Sequence, residues 1–278
     1  MLKQRVITAV VLLAVLLPAL FAPVAWPFAL LTLVVIGAAG WEWARLNGVP
    51  GRGAAALGGL LALACAAAMA AGWADAAPSA AWWIATLVWV LGGAWALKVG
   101  PAGWPGLPRA VRCAVGLVAL WTAWLALANA KATGINFILS IFCLVWAADI
   151  AAYFGGKTFG KRKLSPAISP GKSWEGVWSG MVGVVLLAAL WLFIDRHLAV
   201  DSASLYTRLR EQHALVGLVL VAVFLSAMSV VGDLVESLAK RSAGAKDSSG
   251  LLPGHGGVLD RIDALLPVFP LALALSSL

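Results

Sequence analysis

Residues 214–241 read ALVGLVLVAVFLSAMSVVGDLVESLAKR. Ala214 to Leu225 carries no polar side chain. The polarity then changes with a helical period. Ser226, Ser229, Asp233, Glu236, Ser237 and Lys240 recur at intervals of three and four, or sums of these, and so share one face of a helix. Val230, Val231, Leu234, Val235 and Leu238 fall opposite. A bilayer crossing takes about 20 apolar residues, and 214–236 supplies them. The segment therefore reads as a membrane helix whose polar stripe runs from the bilayer to the surface. A passive helix–helix seam could use the serines, but it would not need Asp233 and Glu236. Gly232 lets another element approach the backbone beside Asp233.

The rest of the chain agrees. Of 278 residues, 62% are hydrophobic and 12% charged, and the mean hydropathy is +0.95. Soluble domains carry about 25% charged residues. The expected fold is all-α: a polytopic membrane helical bundle of about nine spans. These fall near 6–22, 26–46, 54–73, 80–98, 109–128, 136–154, 174–194, 214–236 and 258–277. Pro, Gly or charge separates them, and the first and last are the weakest. Two regions follow, 1–135 with about five spans and 136–278 with two basic loops. Residues 1–22 look like a signal peptide, but Pro23 directly after Ala22 disfavours cleavage, so a retained first span is expected.

Basic residues set the orientation. With the N-terminus cytoplasmic, that side holds Lys3, Arg5, Arg45, Arg52, Lys98, Arg109, Arg112, Lys157, Lys161, Arg162, Lys163, Lys172, Lys240, Arg241, Lys246 and Arg261. The outside holds Lys131, Arg196, Arg208 and Arg210. The net charge of +8 thus lies mostly on one face. The clusters at 157–172 and 240–261 exceed what topology needs and point to anionic partners, either phosphates or acidic lipid heads. Cys65, Cys113 and Cys143 lie far apart in apolar segments and read as packing residues.

A carboxylate at mid-membrane costs about 2.5–3.5 kcal/mol, so it must face protein or water. Asp149, in LVWAADIAAYFGG, reads either as an interhelical hydrogen-bond partner beside Tyr153 or as the floor of a polar cavity. The loop SLAKRSAGAKDSSGLLPGHGGVLDRID, 237–263, is the most polar stretch of the chain. Its PGHGG backbone can form N–H arrays that bind anions. His255 reads as a phosphate contact or a structural hydrogen bond. Asp260 opens the last span at roughly the depth of Asp233. Two carboxylates at one level suit a hard cation such as Mg²⁺, which commonly uses one or two carboxylates plus substrate phosphates. Asp260 and Asp263 could instead cap the helix N-terminus, and the roles can coexist. In GGKTFGKRKLSPAISPGKSWEG, Ser173 is a good N-cap with Glu175 in the first turn. Lys157, Lys161 and Lys172 lie ahead of that helix, where phosphate binding is favoured. No P-loop is matched. The alternative is a solvated basic loop against lipid heads.

The spacing from Ser237 through Lys240, Arg241, Lys246, Asp247, Pro253, Gly254, His255, Gly256, Gly257, Asp260 and Arg261 to Asp263 resembles the signature of the phosphatidate cytidylyltransferase family, the CDP-diacylglycerol synthases. Gly232-Asp233, the run Asp149 to Lys157, and Ser169 to Gly176 are similar to it too. The resemblance is close over the C-terminal half. In the N-terminal half it rests on hydropathy and on Trp41-Glu42-Trp43. Ala239 and Ser173 depart mildly from the pattern.

The resemblance implies that CTP and phosphatidic acid give CDP-diacylglycerol and pyrophosphate. It implies a divalent metal, Mg²⁺, near Asp233 and Asp260, with a second cation left open. Lys246, Asp263 and Asp149 join these two as catalytic candidates. Lys157, Lys161, Lys172, Ser237, Lys240, Arg241, His255, Gly256, Gly257 and Arg261 are substrate-binding candidates. Both substrates are polyanions, so cations must neutralise them. The phosphatidate oxygen is already anionic, so no strong general base is needed, and positioning with charge stabilisation suffices. The expected setting is a bacterial cytoplasmic membrane with the site facing the cytoplasm. Membrane lipids are partners, nucleic acid is not, and a homodimer is left open. A transporter of phosphorylated solutes, or another lipid phosphotransferase or kinase, is the alternative.

Overall fold

The computed structural model describes residues 2–277, with Leu2, Lys3 and Arg5 described by backbone alone. The charges of Lys3 and Arg5 invoked above therefore lie outside the described side chains. Helices α1 (Leu2–Phe21), α2 (Trp26–Leu46) and α3 (Gly51–Ala70) come first. A π-helical turn, Val88–Gly92, joins α4 (Ser79–Leu87) to α5 (Gly93–Gly103). Next come α6 (Arg109–Thr133) and α7 (Ile135–Phe159), then strands β1 (Lys163–Ser165) and β2 (Ser169–Ser173). The chain closes with α8 (Trp174–His197), α9 (Leu205–Ser242), α10 (Leu259–Ile262) and α11 (Leu265–Leu275).

Seven segments are long and apolar enough to cross a membrane: α2, α3, the joined α4–α5, α6, α7, α8 and α9. The protein is thus the expected polytopic helical bundle, and it differs at the two weakest segments. The apolar part of α1, Val6–Phe21, is shorter than the others. The last segment is divided, and the 11 residues of α11 rise only about 16 Å, roughly half a hydrocarbon core. Leu266 to Ala274 are buried, so α11 packs inside the bundle. At its tip, Gln212 Nε2 donates to Ser276 O at 2.9 Å, and His213 Nε2 lies 3.1 Å from Leu275 O. These anchors come from α9 just before Ala214, whose φ of 55° breaks the helix.

Local chemistry sets the ends. Pro50, Pro78 and Pro108 stand at the N-caps of α3, α4 and α6. Ser173 accepts from Gly176 N at 3.2 Å to cap α8, and Ser204 accepts from Thr207 N at 3.3 Å to cap α9. At the end remote from the basic loops, Asp201 accepts from the N–H groups of Ile135 and Asn136 at 2.5 and 2.9 Å. Burial alone would raise its pKa, but those donors hold it below the ordinary carboxylate value.

Helix α8 lies against α7 through small residues. A Cβ at Gly176 or Gly180 would come within 2.9 Å of Ala152 O or Ala148 O, the close approach typical of membrane helices. This contact carries α7 and α8, and the segment between them, as one unit. That segment is not irregular, as a basic loop would suggest. It holds a short antiparallel hairpin pairing Lys163 with Ser173 and Ser165 with Ser169. Glu175 clasps its base, accepting from Lys161 N and Arg162 N, each at 3.1 Å.

Candidate active site

The two basic segments meet at one end of the bundle. Lys172, on β2, places Nζ 2.7 Å from Asp233 Oδ2 on α9. Ser237, one turn on, donates to Asp233 Oδ1 at 3.2 Å. Arg241 donates to Ile168 O at 3.2 Å and to Ala245 O at 3.1 Å, so it ties the hairpin to the loop after α9. Asp149, on α7, lies within the electrostatic reach of Lys172 and Asp233. Asp263 lies within reach of Asp233, Lys172 and Lys240, and its Oδ1 accepts from Ala264 N at 2.8 Å. Gly232 makes this packing possible, because a Cβ there would strike Asp263 O and the Pro267 ring.

A second cluster lies one to two turns further along α9. Lys240 is 8% exposed, and its Nζ stands 2.5 Å from both Glu236 Oε2 and Asp260 Oδ1. Asp260 Oδ2 accepts from Ser248 N at 2.9 Å, Ser248 Oγ at 2.8 Å and Gly257 N at 2.7 Å. Burial would raise the Asp260 pKa, but the Lys240 ammonium and the two backbone donors bring it down to about 2. Asp260 thus organises the loop through donors that precede α10, and it does not take the alternative role of helix cap. Glu236 is 2% exposed, and the Lys240 ammonium is its ion-pair partner.

The signature loop folds back on itself. Leu252 N donates to Gly256 O, and His255 N to Leu252 O, each at 2.8 Å. Gly254 and Gly256 have φ of 75° and 82°, where a side chain is strained. Arg261 Nε and Nη2 donate to His255 O at 3.1 and 2.5 Å. Lys246, Asp247, His255, Gly256 and Arg261 line a cleft of about 560 Å³. Its lining stops short of Lys172 and Asp233. Lys157 and Lys161 are exposed on the hairpin side, with Lys157 Nζ 6.0 Å from the Tyr153 ring centre.

Sequence reading missed Glu42 as a site residue. It is fully buried on α2 and accepts from Ser249 Oγ at 2.5 Å, Leu259 N at 2.6 Å and Val258 N at 3.0 Å; Ser248 Oγ, whose one proton it shares with Asp260, lies 3.1 Å away. The N–H groups that open α10 are therefore filled by the protein's own carboxylates, not left as an anion nest. A Cβ at Gly257 would collide with the Glu42 carboxylate and Ser248 Oγ. The signal was available: Glu42 is a lone acid in an apolar span, and the argument applied to Asp149 applies equally to it.

The cation question turns on donors. Among the described residues, no three His, Cys, Asp or Glu side chains close on one point as a cage. The donors present are carboxylates, with Asp233 and Asp263 acting on each other and Glu236 paired with Lys240. Hard oxygen ligands of this kind fit Mg²⁺, which completes its shell with water and substrate phosphate.

Fold and site together define a multi-pass membrane protein with lysines and carboxylates gathered at one end of the bundle, an arrangement for handling polyanions. Residues 3–278 match the Cytidylyltransferase family, and the chain belongs to it. The chain is similar to a phosphatidate cytidylyltransferase of Pseudomonas aeruginosa, 43% identical over 281 residues, covering 99% of this chain and 97% of that one. A phosphatidate cytidylyltransferase of Haemophilus influenzae is 47% identical over 137 residues, 49% of this chain and 44% of its own. One from Bacillus subtilis is 39% identical over 142 residues, 51% and 48%.

Proposed function

We propose that the protein transfers the cytidylyl group of CTP to phosphatidic acid, giving CDP-diacylglycerol and pyrophosphate. The observation that carries this is the Lys172–Asp233 pair, which joins two basic segments over a carboxylate cluster at one end of a membrane bundle. The relatives' names support the same reaction and do not favour transport or a kinase.

An oxygen of the phosphatidate phosphate attacks the α-phosphorus of CTP. The new P–O bond forms as the bond to the bridging α–β oxygen breaks, and pyrophosphate leaves with that electron pair. The nucleophile is already an anion, so no proton need be removed. Lys172, Lys246 and Arg261 offset charge between the two polyanions, and preorganised cations act strongly where water is thin. Asp260, Lys240 and Glu42 keep the loop in one conformation, so its cations meet the phosphates without reordering. Asp233 and Asp263 would hold Mg²⁺; Asp260, expected to share the ion with Asp233, has its oxygens taken by Lys240, Ser248 and Gly257 and would support the loop instead. When bound, it would supply charge neutralisation at the transferring phosphoryl group.

The setting proposed is a bacterial cytoplasmic membrane with this end of the bundle in the cytoplasm, where the nucleotide is found. The basic bias of these loops supports that orientation. The test is turnover of labelled CTP with phosphatidic acid in detergent, with and without Mg²⁺. Labelled CDP-diacylglycerol that requires Mg²⁺ is expected. Its absence under both conditions would overturn the reading.

A further inference from the structure

An apolar groove of about 330 Å³ lies between α1, α2, α6, α7 and α11. Leu12, Leu16, Val35, Leu127 and Phe269 form its walls. Away from Arg261 at its mouth, the polar Thr32 in its wall is already paired: it donates to Phe28 O at 2.9 Å and accepts from Trp124 Nε1 at 3.2 Å. The groove therefore asks for hydrocarbon rather than for water or a polar ligand.

Its two ends differ. Helix α1 is tied at both: Thr8 Oγ1 donates to Pro253 O in the signature loop at 2.8 Å, and Lys131 Nζ donates to Leu20 O at 2.6 Å. Between these ties Leu12 and Val15 are exposed, so the α1 wall opens toward the bilayer. At the loop end, Arg261 and Leu252 line both this groove and the polar cleft that holds Lys246 and His255. Cation and hydrocarbon slot thus share a mouth. Along α2, Phe28 lies in the groove, while Glu42 marks the level of the α10 N-terminus. Glu42 lies fourteen positions beyond Phe28 on α2, a rise of about 21 Å. One leaflet of hydrocarbon is roughly 15 Å deep, so the slot can take a full acyl chain.

We propose that this groove holds one acyl chain of the phosphatidic acid, with its phosphate at Arg261. This rests on the cytidylyltransferase reading and adds where the lipid lies. The occupant is the substrate, because the cation at the mouth opens into the nucleotide-sized cleft. A bulk phospholipid would have no use for that junction.

Two measurements test it. Phosphatidic acid and phosphatidylcholine, each carrying a photoactivatable group at one acyl terminus, are irradiated with the wild-type protein in mixed micelles. The phosphatidic acid probe should label peptides holding Phe28–Val35 or Leu127 several-fold more than the phosphatidylcholine probe, and unlabelled phosphatidic acid should compete. Equal labelling by both probes, or labelling elsewhere, would overturn the proposal. Val35→Trp, which fills the groove, should lower the ratio of kcat/KM for long-chain over short-chain phosphatidic acid at least tenfold; an unchanged ratio counts against the groove. If that variant does not fold, the wild-type labelling decides. Failure of wild-type turnover with preserved selective labelling would reject the reaction but keep the lipid site.

Discussion

A buried carboxylate survives where donors surround it, and Glu42 meets two hydroxyls and two backbone N–H groups. Removing it takes the acceptor from the Val258 and Leu259 N–H groups, at about 1–3 kcal/mol each, while Ser248 Oγ keeps Asp260. Glu42→Ala should therefore lower the melting temperature in detergent and cut turnover at least a hundredfold. Glu42→Gln keeps one acceptor oxygen and should recover part of both. Wild-type behaviour of Glu42→Ala would remove Glu42 from the account. Asp260 gives a pH signature. Its folded pKa, about 2, lies below the ordinary 3.8. Its contribution to stability is thus complete above the unfolded value and lost as pH falls through the folded one. Melting temperature of the wild type should fall between about pH 4 and pH 2, and Asp260→Asn should flatten that limb; equal acid loss in both would contradict it. Asp233 and Asp260 stood out in the sequence because they interrupt or border apolar runs, but the meetings of Asp233 with Lys172 and of Asp260 with Lys240 did not. Glu42 was harder, since Ser248 lies 206 positions away and no local spacing announces the pair.

At the scale of elements, long apolar runs announced the spanning helices and Ser173 announced the start of α8. The hairpin β1–β2 stayed hidden, because its strands are short and polar and owe their pairing to the Glu175 clasp. The shortness of α11 and the helical segment that precedes Ala214 were hidden for another reason. Both depend on the meeting of Gln212 and His213 with the tip of α11, a tertiary contact with no signature in either run. The hairpin's functional weight rests on Lys172. Losing a charge-assisted contact that strengthens in the transition state costs about 3 kcal/mol, roughly a hundredfold in rate. Lys172→Gln should lose about that much specific activity per folded molecule. If the residue only obeys the positive-inside rule, the variant would express less yet keep full specific activity, and that result would refute the phosphate role.

For the whole molecule, orientation and reaction must agree, since one substrate is a water-borne nucleotide and the other a lipid. Cysteines at Ala167 and Ala243, both exposed, in a background lacking Cys65, Cys113 and Cys143, should react with a membrane-impermeant reagent from the cytoplasmic side alone. Labelling of either from outside would break the topology. The central claim is that the carboxylate cluster at this end of α9 carries cytidylyl transfer. The most direct measurement is the rate of CDP-diacylglycerol formation by purified Asp233→Asn, per folded molecule, across a Mg²⁺ titration. The account predicts a loss of several orders of magnitude that added Mg²⁺ does not restore, in protein that inserts and purifies normally. A near-wild-type rate at limiting Mg²⁺ would contradict it.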